Sequence, residues 1–301
     1  MEEEFHNHMR IPWHDYTRKS LGHPITEASL SEKASIIGRT GIMLLSCGTG
    51  AWRVRSSMNT LARELGITCT ADIGLLSIEY TCIDGGDCYT ESLCLFNTGV
   101  NTSKLYRMEL FVNKFATNCK KMSGDELHTL LDQIHEIHGF YSPPFLGLAA
   151  AVACCAFTFL LGGGPTEMFC AFLGAGAGNY LRAKMNQHHL TLFLCTAASV
   201  ALACVVYTIS FMALKSGFDV SIHHQAGYIC SMLFIIPGFP FITSGIDLAK
   251  LDMRSGMERL TYAIIIIAVA TLTAWMLALV LHLKPMDFLP LGLNKFQYLI
   301  F

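Results

Sequence analysis

The chain has 301 residues, 52% of them hydrophobic and only 15% charged, with a mean hydropathy of +0.43. Soluble globular proteins carry about a quarter charged residues, so part of this chain is built for an apolar solvent. The formal net charge of −2 supplies no basic field for nucleic acid and argues against nucleic-acid binding.

The charge is unevenly spread, with 30 of the 44 Lys, Arg, Asp and Glu residues before residue 141. The chain therefore divides into a soluble-looking N-terminal region and an apolar C-terminal one. Residues 1–33 form a polar segment that opens MEEEFHNHMR, without the apolar stretch of a cleaved signal peptide. From Ser35 to Leu65 apolar residues recur at helical spacing, and Gly66 supplies a stop. "ITCTADIGLLSIEYTCI" and "DCYTESLCLF" flank Asp84-Gly85-Gly86-Asp87 and read as two strands of a hairpin. Ser123-Gly124-Asp125-Glu126 is a capping box opening a helix to about His138. Residues 34–140 are thus expected to form a mixed α/β domain, with Tyr141 to Pro144 as the hinge that follows.

Beyond the hinge, four apolar stretches reach the roughly 20 residues needed to cross a bilayer: Pro143–Leu161, Leu190–Leu214, Ala226–Leu248 and Leu260–Leu283. A shorter one, Met168–Leu181, reads as the return leg of a hairpin after Gly162-Gly163-Gly164-Pro165. The expected fold class is an α-helical membrane bundle of five transmembrane helices (residues 141–283) preceded by the mixed α/β domain. A short tail, 284–301, follows. Arg182, Lys184, Lys250, Arg254 and Arg259 fall on one side of such a bundle and Lys215, Lys284 and Lys295 on the other. That bias puts the N-terminal domain in the cytoplasm. An odd number of spans without a second half suggests one part of a larger assembly.

The stretch "IIPGFPFITSGIDLAK" (Ile235–Lys250) concentrates what a lipid-spanning helix avoids. A proline in a helix interior costs about 3 kcal/mol, and a central aspartate adds about 2.5–3.5 kcal/mol on insertion scales. Pro237, Gly238 and Pro240 are expected to break the helix, with Thr243 and Ser244 lining a polar pathway and Asp247 taking a cation or proton. The alternative is a packing kink with Asp247 in cytoplasmic water. Gly174 and Gly178 form a GxxxG pair suited to close helix packing, and Asn179 beside them could present an amide to the pathway. "LDMRSGMERL" (Leu251–Leu260) is a solvated loop with local ion pairs or a gate facing the N-terminal domain.

Neither GxSxG nor HExxH occurs, and the Gly162–Gly164 triplet lacks the Lys-Ser/Thr of a phosphate-binding loop. A hydrolase built on Ser77, Glu79 and Asp84 is the weaker alternative; the chain is expected not to be an enzyme and to need no cofactor. The 12 cysteines form no CxxC pair and read as reduced packing residues. His128, His135 and His138 share a helix face, and His188-His189 and His223-His224 lie in loops; none of these sets completes a metal site.

"TGIMLLSCGTGAWRV" (Thr40–Val54) with "MNTLARELGI" (Met58–Ile67) resembles the opening helix of the threonine/serine exporter family. "IPGFPFITSGIDLAKLDMRSGMERL" (Ile236–Leu260) resembles that family's signature near its fourth span. Gly41, Gly48, Arg53 and Val54 match the first motif; Pro237, Gly238, Asp247, Gly256 and Arg259 match the second. The chain departs at Gly50, where the family pattern has an acid, and at Thr243 and Ile246, where Asn and Arg are common. The resemblance implies a multi-pass protein of the bacterial inner membrane that exports a small polar solute such as threonine or serine, driven by protons. It also implies a companion five-span membrane protein and an oligomeric assembly in lipid. Succinate, a C4-dicarboxylate associated with split members of the family, is the alternative substrate.

Overall fold

The computed structural model describes residues 11–17, 22–137, 141–188, 190–217 and 225–281. These divide into two compact units. The first holds the chain up to Gly139 together with Gly238–Tyr262; the second holds Phe140–Pro237 and the chain from Ala263 onward. The second half of the signature motif thus folds with the N-terminal residues.

In the first unit, helix α1 (Leu30–Ser46) is the axis. It is capped by the Ser29 hydroxyl, which accepts the Glu32 N–H, and it is buried on nearly every face. A helix apolar around its circumference belongs inside, and Ile36, Ile37, Leu44 and Leu45 are fully buried. Each such side chain contributes about 1.5–3 kcal/mol. The periodicity of residues 35–65 predicts one helix, yet the structure has two. Cys47–Gly50 interrupt the run because Gly48 adopts φ +81°, where a side chain would be strained. Helix α2 (Ala51–Glu64) then turns back, burying Ala51, Val54, Met58, Leu61 and Ala62 against the core.

The hairpin expectation also changes. The first apolar stretch is itself a hairpin, so the sheet has three antiparallel strands in the order β1 (Thr68–Ile73), β2 (Ser77–Asp84), β3 (Asp87–Cys94). Asp84-Gly85-Gly86-Asp87 makes the second turn, with both glycines at positive φ, as a two-residue hairpin loop requires. Leu75-Leu76, read as strand, occupy the first. On β2 the inward residues Ile78, Tyr80 and Cys82 are buried, and the Tyr80 hydroxyl lies 3.0 Å from the Ala34 carbonyl and 2.7 Å from Glu91. Helix α3 (Thr102–Lys114) and helix α4 (Gly124–His135), which opens on the expected Ser123/Glu126 capping box, complete the core. Helix α4 ends at His135, and His138 lies outside the described residues.

In the second unit, helix α5 (Pro143–Leu160), helix α6 (Pro165–Gln187) and helix α7 (Leu192–Gly217) pack in succession. A Cβ on Gly174 would stand 2.7 Å from the Ala203 carbonyl oxygen, and one on Gly178 would stand 2.8 Å from Ala203 Cβ. The GxxxG pair is therefore where α7 approaches α6. Helix α8 (Gln225–Cys230) and a short turn (Leu233–Ile235) precede Pro237. Helix α9 (Gly238–Ala249) and helix α10 (Met253–Val280) follow it.

Among the described residues, three helices are long and apolar enough to cross a membrane: α5, α7 and α10. A fourth span results if the helices flanking Pro237 count as one. The expected five spans are not confirmed among the described residues. Although α6 has 23 residues, Glu167, Arg182 and Lys184 leave it too polar. The expected tail lies outside the described residues.

Candidate functional site: a buried carboxylate on the signature segment

The proline-rich stretch breaks where its sequence says it should. Pro237 cannot donate a backbone N–H, and the chain stops being helical at Ile236 and resumes at Gly238. Pro240 falls in the first turn of α9, where its missing N–H costs nothing. Helix α9 then carries Thr243, Ser244 and Asp247 inward, all three buried. In this conformation both hydroxyls are committed to backbone. Thr243 donates to the Phe239 carbonyl at 3.0 Å and Ser244 to the Gly256 carbonyl at 2.7 Å.

Asp247 is the centre of the site. It is completely buried in the first unit, so it does not sit in open water. Its Oδ2 accepts the Ala51 N–H at 3.2 Å and the Ser255 hydroxyl at 3.0 Å, and lies 3.3 Å from Arg259 Nε. Ala51 is the first residue of α2, so the carboxylate faces the positive end of that helix dipole. Arg259 is almost as deeply buried, and its two terminal nitrogens donate to the carbonyls of Gly48 and Thr49 at 3.1 and 2.8 Å. The two motifs, about 200 residues apart in sequence, are therefore one site. The break after α1 turns two carbonyls toward Arg259 and an N–H toward Asp247.

Asp247 Oδ1 has no hydrogen-bond partner among the described residues. Such an oxygen in a dry interior is costly, about 1–3 kcal/mol for a neutral group and more for a charged one. The nearest backbone explains Gly50. A Cβ there would stand 2.8 Å from Oδ1, so a glycine at this position leaves room for Asp247.

The remaining motif residues brace this arrangement. Gly41 lets α1 and α2 approach, since a Cβ on it would stand 2.7 Å from Met58 Sδ. Gly256 admits Leu248 in the same way. Arg53 pairs with Glu109 at 2.8 Å on the surface. The Leu251–Leu260 stretch is no free loop. Arg254 pairs with Asp72, Arg55 pairs with Asp252, and Glu258 accepts the Leu75 N–H at 2.5 Å. Asn179 belongs to the second unit, where its amide donates to the Leu146 carbonyl at 2.8 Å and ties α6 to α5.

Sequence reasoning missed Ser255, which looks like any loop serine until α10 places it one turn before Arg259. It also missed Glu167, a buried carboxylate in the first turn of α6 that accepts the Gly164 N–H at 2.9 Å. A third omission is His14, held between Asp125 at 2.6 Å and Asp132 at 2.9 Å. Asp132 also takes Arg39, whose guanidinium lies over the Trp13 ring, stands 3.2 Å from Nδ1 of buried His128 and donates to the His128 carbonyl at 3.0 Å. Burial first and the Arg39 charge second push the His128 imidazole down to about 3, while Asp125 and Asp132 raise His14. The described residues contain no cluster of His, Cys, Asp and Glu able to hold a metal ion.

Several apolar helices joined to an α/β unit, with a buried ion pair linking two distant motifs, define a multi-pass membrane protein with a soluble-type unit. A family described as "Putative threonine/serine exporter" matches residues 35–282. The chain belongs to the threonine/serine exporter family, a family of membrane transporters. It is 26% identical over 244 residues to the "Probable succinate transporter subunit YjjP" of Escherichia coli, covering 78% of this chain and 91% of that one. The protein of the same name from Klebsiella aerogenes is 25% identical, with 78% and 90% covered. No solved structure matches the chain.

Proposed function

We propose that the chain is one subunit of a proton-coupled exporter of a small carboxylate-bearing metabolite, in the inner membrane with the α/β unit facing the cytoplasm. A companion five-span subunit completes the pathway, a reading supported by the word "subunit" in the names of both relatives. The observation that carries the proposal is the orphaned Oδ1 of fully buried Asp247. Oδ2 accepts two hydrogen bonds and faces the Arg259 guanidinium, while Oδ1 is open to a proton. Taking one up would cancel the charge that holds Arg259 and Ser255, leaving Arg259 buried without its counter-ion. That is expensive, so the segment carrying Thr243 and Ser244 would be driven off the α/β unit. The two hydroxyls, freed from their carbonyls, would then line the pathway around Pro237, Gly238 and Pro240. Proton uptake is thereby converted into movement of the signature segment.

Threonine or serine is the substrate the family description suggests. A C4-dicarboxylate such as succinate is the second reading, favoured by the names of the two relatives. The deciding experiment co-expresses the chain with its companion and follows labelled threonine and succinate into inside-out vesicles. Asp247→Asn is expected to abolish uptake of whichever solute is carried while leaving the protein level intact. Unchanged uptake would remove Asp247 from the mechanism.

A further inference from the structure

The outward face of α2 carries a second, unrelated feature. Trp52, Arg55, Asn59 and Arg63 lie at helical spacing on the side away from the core. With Lys250 and Asp252, from the turn between α9 and α10, they line an open cleft of about 430 Å³. All of these residues belong to the first unit. We infer that this cleft binds a small dianion carrying phosphate or carboxylate groups.

The charge balance points that way. Three cations face one carboxylate, and that carboxylate is already taken, because Asp252 pairs with Arg55, whose Nε donates to the Ala71 carbonyl at 3.1 Å. Two cations are left over. The Lys250 ammonium stands 4.0 Å from the centre of the Trp52 ring. Arg63 is 75% exposed and reaches only Glu64 at 3.9 Å, whose other oxygen is held by Lys120 at 2.7 Å. Neither is held by the one carboxylate that lines the cleft, whose lining also offers the Trp52 ring and the Asn59 amide.

The backbone explains how this wall is formed. Leu251, between Lys250 and Asp252, is 81% exposed and holds φ +64°, the one positive value at a non-glycine among the described residues. That left-handed residue ends α9: the Asp252 N–H donates to the Asp247 carbonyl at 2.9 Å and the Leu251 N–H to the Leu248 carbonyl at 3.0 Å. The helix stops there, and Lys250 and Asp252 on either side of the stop both line the cleft.

One wall of the cleft is α2 and the other is the segment anchored by Asp247, so a bound dianion would bridge the two and favour the docked arrangement. A ligand that binds one state only stabilises that state by mass action. The inference does not rest on the transport reading, since a cleft ligand could be found in a chain that moves nothing.

The test uses the full-length chain in neutral detergent and in zwitterionic nanodiscs. It is titrated with inorganic phosphate and with succinate while tryptophan fluorescence is followed. A parallel arm uses nanodiscs containing phosphatidylglycerol. Saturable quenching is expected, lost in Trp52→Phe and weakened about tenfold by Arg63→Gln or Lys250→Gln. Lys121→Gln, outside the cleft, is expected to bind as the parent does. Saturation by the free anions assigns a soluble ligand, and a response confined to the anionic nanodiscs assigns a lipid headgroup. Absence of saturation in every arm, or Arg63→Gln and Lys250→Gln proteins that bind like the parent, overturns the inference.

Discussion

Two buried arginines in the first unit solve the same problem in opposite ways. Arg39 reaches outward to Asp132, a carboxylate about half exposed that is also fixed by His14. Arg259 reaches inward to Asp247, which is fully buried and one of whose oxygens has no partner among the described residues. A carboxylate with a wet side can gain or lose a proton at little structural cost. One sealed beside an arginine cannot, because neutralising it strands the cation. The first cluster is a brace; the second has the build of a switch.

The largest effect is expected where this contrast is sharpest. Asp247→Asn or Arg259→Met should loosen residues 238–262 from the α/β unit by about 3–5 kcal/mol, the cost of breaking a buried pair. The double variant should recover part of that, and a double-mutant cycle read by thermal unfolding measures the coupling. If the single losses simply add, the pair is not a unit. Next comes Gly48→Ala, which forces a side chain to φ +81° and brings a Cβ to 3.1 Å from the Gly99 carbonyl oxygen. A loss of about 1–2 kcal/mol is expected, together with weaker docking, because the Gly48 carbonyl is one of the two that hold Arg259.

The brace predicts a pH profile. His128 is neutral in the fold, with its value pushed down to about 3 from 6.5, so the unfolded chain binds the extra proton between those values and stability rises with pH there. Asp132, held down by His14 and Arg39 against the opposing effect of burial, adds to that acid limb. His14 is raised above 6.5, so its contribution is complete below that pH and is lost as pH climbs through its folded value. Stability should peak near pH 6.5. His14→Gln should flatten the alkaline limb alone, which differential unfolding scans from pH 5 to 9 would reveal. A monotonic profile in the parent would contradict the assignment. The smallest effect, about 0.5–1.5 kcal/mol, is expected for Tyr80→Phe, which removes only a hydroxyl bonded to Ala34 and Glu91.

Much of this was legible in the sequence for physical reasons. The capping box at Ser123, the turn at Gly85-Gly86 and the break at Pro237 depend on local chemistry, and local chemistry is written in order along the chain. The break at Gly48 lay inside an apolar periodicity that overrode it on paper, and the β1–β2 turn hid because Leu75-Leu76 look like strand. Asp247 could be singled out as an acid where lipid would be expected, but its partners could not. Ala51 contributes a backbone N–H, and Gly48 and Thr49 contribute carbonyls, groups that every residue owns and no motif marks. The His14 brace was invisible for a related reason, since a histidine and two aspartates more than 100 residues apart carry no shared spacing.

The central claim is that Asp247 holds the signature segment on the α/β unit and lets go when protonated. Hydrogen–deuterium exchange of residues 238–262 and 47–54, compared in the parent and Asp247→Asn at one pH, tests it most directly. Faster exchange in both stretches of the variant, with β1–β3 unchanged, is the expected result. Equal protection in the two proteins would mean that the segment stays in place without its carboxylate, and the latch would be refuted.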